Sequence, residues 1–130
     1  PGEVRLEIDM RHPEEEGLAA MEAALTAEIG RLVPGAEVSV VWRKAPVAFD
    51  AGLRGAIRQE AEGLSLSAID MVSGAGHDAA HVAGKVPTAM IFIPSREGLS
   101  HNEREYSSPQ QCADGANLLL RSVLRADQLS

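Results

Sequence analysis

Between Val4 and Met10 apolar and charged residues alternate, with Val4, Leu6, Ile8 and Met10 on one side and Arg5, Glu7, Asp9 and then Arg11 on the other. A period of two predicts a half-buried strand with a charged outer face. His12-Pro13 ends it, and Glu14, Glu15 and Glu16 follow as carboxylates in the first turn of a helix, where the dipole favours them. Leu18, Met21, Leu25, Ile29 and Leu32 then recur at helical spacing until Pro34-Gly35. Val38, Val40 and Trp42 alternate with Ser39, Val41 and Arg43 as a second strand. Strand, helix, strand is one layer of sheet with a helix on its back, thin enough by itself that it should complete a larger sheet. Lys44-Ala45-Pro46-Val47 marks a boundary, because proline interrupts the pattern and the periodicity restarts after it.

Beyond the boundary, Asp50 is placed to cap a helix running to about Glu62, with Leu53, Ile57, Ala61 and Leu64 as its inner stripe. Ser67 to Val72 reads as a short strand delivering the chain to a glycine loop, Ser73-Gly74-Ala75-Gly76-His77-Asp78-Ala79. Asp78 to Ala83 suggests one or two helical turns, capped by Asp78. Thr88 to Ile93 is nearly all apolar, the mark of a strand covered on both faces and parallel to its neighbour. A polar loop from Ser95 to Tyr106 follows. The last helix opens on Ser108-Pro109-Gln110-Gln111, a cap, a proline and a capping box, and should bury Cys112, Ala116, Leu119, Leu120, Val123 and Leu124. The expected class is therefore α/β.

Composition narrows the function classes. The 130 residues, 45% hydrophobic, suit one domain or slightly more. A net charge of -7 with scattered basic residues excludes a nucleic-acid footprint. No apolar run nears the roughly 20 residues that cross a bilayer, and no leader opens the chain, so neither membrane nor export is expected. One cysteine, Cys112, cannot form an internal disulfide and fits a reducing, cytoplasmic setting. The first residue is proline, which suggests processing or a piece of something longer.

Two loops after predicted strands are where an open α/β sheet gathers polar groups. His101 is the best candidate metal ligand, because it follows Gly98 in such a loop and imidazole is a common nitrogen donor to zinc; a hydrogen-bonded loop histidine is the plainer alternative. Glu103 and Glu105 either orient His101 or serve as helix-start carboxylates. Gly74 and Gly76 leave backbone N–H groups bare for close approach of a ligand. His77 is either a hydrogen-bond donor in a site or a histidine packed on its own loop. His81 stands at i+4 from His77, yet the glutamate expected between such a zinc-binding pair is missing. Arg11 offers a planar fork to a carboxylate, or pairs at the surface with Asp9 or Glu7.

Ser73 to Ala79, then Met90-Ile91-Phe92-Ile93-Pro94-Ser95, then Gly98-Leu99-Ser100-His101-Asn102 with Glu105, resemble the C-terminal signature of the hydantoinase/carbamoylase amidases. These comprise N-carbamoyl-L-amino acid hydrolases, allantoate amidohydrolases and beta-ureidopropionases, within the dinuclear zinc aminopeptidase-like hydrolases. Ile8 to Pro13 resembles a strand of that family's lid and dimerisation domain. The resemblance implies the second half of a ferredoxin-like lid, strand-helix-strand, over residues 1–45, and the C-terminal α/β segment of a zinc-aminopeptidase-like catalytic domain over 46–130. It implies that His101 is the last histidine of a two-metal site and that Arg11 grips the substrate carboxylate. Gly74, Ala75 and Gly76 would line the pocket, while His77 and Asp78 match constant letters without an assigned step and the role of Glu105 stays open. Leu99 stands where isoleucine is commoner. The remaining ligands and the glutamate base lie upstream in that family, so no catalytic residue is expected in this chain.

A parent enzyme of this kind would carry two divalent metals, zinc or else manganese, cobalt or nickel, none of them held by this chain alone. It would act on a small ureido acid and dimerise through the lid, with neither nucleic acid nor membrane as partner. The competing expectation is a non-catalytic, lid-like self-association module.

Overall fold

The computed structural model describes residues 2–128, so Pro1 lies outside the described residues. The chain divides into two units, Pro1–Val47 and Ala48–Ser130.

In the first unit, α1 spans Glu15–Leu32. Its start is held by His12, whose Nδ1 accepts from the Glu14 N–H at 3.0 Å. The imidazole lies against Gly17, where a Cβ would come within 2.0 Å of the ring. Gly35, at φ +92°, supplies the left-handed turn that ends the helix region. Leu18 is the buried member of the predicted stripe, while Leu32 is 61% exposed. Arg43 reaches back to Glu15 at 2.5 Å and Glu22 at 3.3 Å, tying the segment after α1 to the helix.

In the second unit, α2 spans Ala51–Gly63, α3 Ala79–Val82 and α4 Pro109–Asp127, with a 3-10 turn at Arg96–Gly98. Two of the three predicted caps are present. Asp50 Oδ1 accepts from the Leu53 N–H at 2.7 Å. Ser108 Oγ accepts from the Gln111 N–H at 3.2 Å while Gln111 Oε1 accepts from the Ser108 N–H at 2.8 Å. The core is α2 against α4, with Ala56, Ala61, Leu118 and Ser122 buried. Glu60 fastens the pair, accepting from Arg121 Nε at 2.7 Å and Arg125 Nη1 at 3.1 Å. Those two guanidiniums hold its carboxyl below the usual carboxylate range.

The α/β expectation fails. Among the described residues there is no strand, and the regular structure is entirely helical. The segments expected as the lid strands, 4–10 and 38–42, and those expected as catalytic-domain strands, 67–72 and 88–93, form no ladder. Alternation reports that one face is meant to be covered; a strand also needs a hydrogen-bonding neighbour about 4.8 Å away. Among the described residues no neighbouring strand is paired with those segments, and Leu6, Trp42 and Ile69 are 79%, 76% and 83% exposed.

The inner face expected for α4 is also corrected. Cys112 and Ala116 are exposed and Leu119, Leu120, Val123 and Leu124 are more than half exposed, while the buried residues of α4, which packs on α2, are Leu118 and Ser122 instead. An apolar groove of about 360 Å³ runs along the exposed side, lined by Ile91, Ile93, Cys112, Gly115, Ala116 and Leu119. None of the candidate polar residues lines it.

Gly115 sets how the segment before the histidine loop lies on α4, since a Cβ there would stand 2.4 Å from Ile93 Cγ2. Alanine normally stabilises a helix by about 1 kcal/mol over glycine, whereas overpacking costs about 1–3 kcal/mol. Gly115→Ala should therefore destabilise the chain by about 1 kcal/mol in urea unfolding, and the sign should reverse in an Ile93→Ala background.

Candidate functional site

The glycine loop is shaped by its own serine. Ser73 Oγ donates to the Ala75 carbonyl at 3.2 Å and lies 3.3 Å from the Ala75 N–H. A Cβ at Gly74 or Gly76 would meet nothing within 4 Å, and neither residue has the left-handed φ that favours glycine. Neither packing nor backbone conformation requires glycine at these two positions. Both are exposed, so no side chain of their own shields the backbone there.

His77 takes the capping role expected of Asp78. Its Nδ1 accepts from the Ala79 N–H at 3.0 Å, whereas Asp78 makes no side-chain cap to α3. An imidazole that accepts at Nδ1 in its neutral form carries its proton on Nε2. His77 is thus a histidine folded onto its own loop with Nε2–H as its donor.

The histidine loop closes on itself. At its neck the Arg96 N–H donates to the Tyr106 carbonyl at 2.8 Å, and the Arg96 guanidinium lies 5.3 Å from the centre of the Tyr106 ring. Arg96 Nη2 also donates to the Arg104 carbonyl at 3.3 Å, and Ser107 Oγ donates to the Pro94 carbonyl at 2.8 Å. Inside the neck the backbone is left-handed at Glu97, φ 58°, Gly98, φ 68°, and His101, φ 55°. Only the glycine adopts this at no steric cost; at a non-glycine residue it costs about 1–3 kcal/mol and persists where the surroundings fix it. At His101 the fixing group is Glu105, whose Oε2 accepts from the His101 N–H at 2.8 Å. Asn102 turns the chain back, its carbonyl accepting from the Glu105 N–H at 2.9 Å and its Oδ1 from the Arg104 N–H at 3.0 Å.

Glu103 and Glu105 are not helix-start carboxylates, since α4 begins at Pro109 with no acidic residue in its first turn. Glu105 acts on the backbone of His101 rather than on its ring. The neck formed by Arg96 and Tyr106 is not foreseeable from the sequence. An arginine and a tyrosine bracketing a polar loop are a weak signal, because neither periodicity nor composition reports contacts across about ten residues.

Arg11 makes the surface pair that the charge pattern allowed. Its Nη2 lies 2.5 Å and its Nε 3.1 Å from the Asp9 carboxylate. The hydrogen bond from Arg11 holds the Asp9 carboxyl below its ordinary value. Arg11 belongs to the first unit, while the glycine loop and His101 belong to the second.

Zinc takes about four ligands. Among the described residues no group of three or more His, Cys, Asp or Glu side chains is gathered that could hold a metal. His101 is exposed and bonded through its backbone N–H, so the loop offers a nitrogen donor of the right type in a preformed setting. It fits one position of a metal site and does not make a site by itself.

Residues 4–125 match peptidase family M20/M25/M40. The chain is 40% identical over 133 aligned residues to an N-carbamoyl-L-amino-acid amidohydrolase of Rhizobium meliloti, an alignment covering 99% of this chain and 32% of that protein. It is 35% identical over 123 residues to an allantoate amidohydrolase of Bacillus subtilis strain 168, covering 92% of this chain and 30% of the relative. A crystal structure of an amidase of the hydantoinase/carbamoylase family from Burkholderia multivorans superposes with a TM-score of 0.82 at 39% identity, covering 88% of this chain and 29% of that one. The chain thus spans about a third of the length of the curated relatives it matches. No helix among the described residues is long and apolar enough to cross a membrane.

Proposed function

We infer, from the fact that this chain belongs to peptidase family M20/M25/M40, that it is the C-terminal part of a metal-dependent amidohydrolase cleaving the carbamoyl or ureido C–N bond of N-carbamoyl-L-amino acids or allantoate-like acids. The observation that carries this reading is a coincidence of two facts. Nearly the whole chain aligns with a third of an amidohydrolase, and its described residues present a well-held histidine donor without the partners a metal needs.

In this reading residues 1–45 belong to the lid and dimerisation domain and residues 46–130 to the catalytic domain; the division after Val47 supports it. His101 supplies one imidazole to a pair of divalent metals, zinc or else manganese, cobalt or nickel, whose other ligands and base come from the rest of the hydrolase. When bound, such metals polarise a carbonyl and make water acidic enough to lose a proton near neutral pH. Arg11 grips the substrate carboxylate, and the exposed backbone at Gly74, Ala75 and Gly76 lines the pocket, with no glycine side chain in the way. His77, with Nε2–H as its donor, and Asp78 stand beside that backbone. The enzyme is a cytoplasmic homodimer joined through the lid.

The test is to express both the 130-residue chain and the full reading frame that carries it, and to assay N-carbamoyl amino acids, allantoate and other ureido acids. The full protein should turn over at least one of them at a rate abolished by a chelator, and the chain alone none. Chelator-sensitive turnover by the chain alone would overturn the reading, as would a reading frame lacking further histidine and acidic ligands.

The exposed apolar residues of the first unit, Val4, Leu6, Val40 and Trp42 among them, favour one second reading, a self-association module without catalysis. A full protein that self-associates and hydrolyses no ureido acid would establish it.

A further inference from the structure

We propose that Glu105 is a positioning residue for His101, acting through the backbone rather than the ring. This rests on His101 being a metal ligand, as proposed above.

A metal ligand must be held to within a fraction of an ångström, and loops hold side chains less well than helices do. The direction of the His101 side chain is set by its backbone, which is left-handed at φ 55°, a region uncommon for residues other than glycine even though histidine enters it more readily than most. Without a fixing contact the residue would relax to a negative φ and swing its Cα–Cβ bond away. The Glu105 carboxylate supplies the contact. An ionised acceptor makes a stronger hydrogen bond to a backbone N–H than a neutral one does, and this one is 2.8 Å long.

The rest of the loop serves to bring Glu105 there. The reverse turn from Asn102 to Glu105, fastened by the 2.9 Å backbone bond and the Asn102 side chain, places the carboxylate back at His101. The Arg96–Tyr106 closure then fixes the residue directly after Glu105. Glu103 lies in the same turn, but the carboxylate that meets the His101 N–H is that of Glu105.

The usual way to orient a ligating histidine is a hydrogen bond to its second ring nitrogen. Here the orienting bond is made to the main chain, so it is already present although the described residues gather no metal-holding group. The loop is preorganised, and this bond leaves the ring nitrogens to ligation.

Two readouts test this. In the 130-residue chain, amide hydrogen exchange at His101 reports the bond itself. In the full protein, zinc affinity measured by competition with a chromophoric chelator reports its consequence, with His101→Asn as the reference. Glu105→Ala should speed exchange of the His101 N–H about tenfold or more and lower zinc affinity by roughly 10- to 100-fold, the range for outer partners of metal ligands. Glu105→Gln, which keeps a neutral acceptor oxygen at the same reach, should restore part of both. Glu105→Asp, which keeps the charge but shortens the reach, should behave like alanine and also serves if the alanine variant folds poorly.

If Glu105→Ala and Glu105→Asp leave exchange and zinc affinity unchanged while His101→Asn weakens zinc, Glu105 is not a positioning residue and the metal-ligand reading stands. If exchange accelerates in the Glu105 variants but zinc affinity falls only with His101→Asn, the bond is structural and the proposal is again overturned. If His101→Asn leaves zinc affinity unchanged, the metal-ligand reading itself is what has failed.

Discussion

Replacing His101 with asparagine in the full protein should lower zinc affinity by about two orders of magnitude and remove most of the turnover with it. Structural zinc sites bind with roughly 10–16 kcal/mol over four ligands, so one ligand accounts for about 3 kcal/mol, a factor near 10² in affinity. Asparagine is the informative choice because of the backbone at this position. At φ 55° an alanine would add strain to the loss of the imidazole, whereas asparagine tolerates the left-handed region better than most residues. The N–H that Glu105 accepts from is kept in either case. His101→Asn therefore removes the donor with little change to the loop.

The measurement pairs zinc titration of the full protein with thermal unfolding of the 130-residue chain. Affinity should fall while the unfolding of the chain is unmoved, because His101 is exposed and outside the core formed by α2 and α4. An unchanged affinity would remove His101 from the metal site. A large loss of chain stability would mean that the residue serves the fold instead.

The contrast between what was legible in this sequence and what was not follows from where the interactions are made. Caps and helix bounds are local, so Asp50, Ser108 with Gln111, and the helices they open could be read directly. A strand is not a local object. Val4 to Met10 and Thr88 to Ile93 carry good strand patterns, yet pattern describes the face a segment offers and says nothing about whether a partner is present to pair with it. The same holds for α4, whose wider apolar face from Cys112 to Leu124 advertises burial that α2 does not provide.

The candidate site divides in the same way. His101, Gly74 and Gly76 were visible as residue types in suggestive loops. The bond from the His101 N–H to Glu105, the closure of Arg96 on Tyr106 and the capping of α3 by His77 rather than Asp78 depend on loop conformation, and no periodicity encodes them.

If Arg11 grips the substrate carboxylate as proposed, Arg11→Lys in the full protein should raise KM for a ureido acid roughly 10- to 100-fold with a much smaller change in kcat. Arg11 presents Nε and Nη2 together to the Asp9 carboxylate, the planar two-point grip that a substrate carboxylate would also require. Lysine keeps the charge but offers a point rather than a fork. The loss is about one charge-assisted hydrogen bond, roughly 1.5–3 kcal/mol. A carboxylate remote from the scissile bond is held equally in ground and transition states, so its loss falls on KM. Because Arg11 holds the Asp9 carboxyl below its ordinary value of 3.8, Asp9 stays ionised throughout the neutral range and the pair loosens only as pH falls below that value. The KM penalty should accordingly be flat between about pH 6 and 8. With a substrate analogue lacking the carboxylate, the Arg11→Lys variant and the unsubstituted enzyme should have the same KM. A fall in kcat with KM unchanged would instead place Arg11 at the reacting centre, and no change in either would leave it as the surface partner of Asp9.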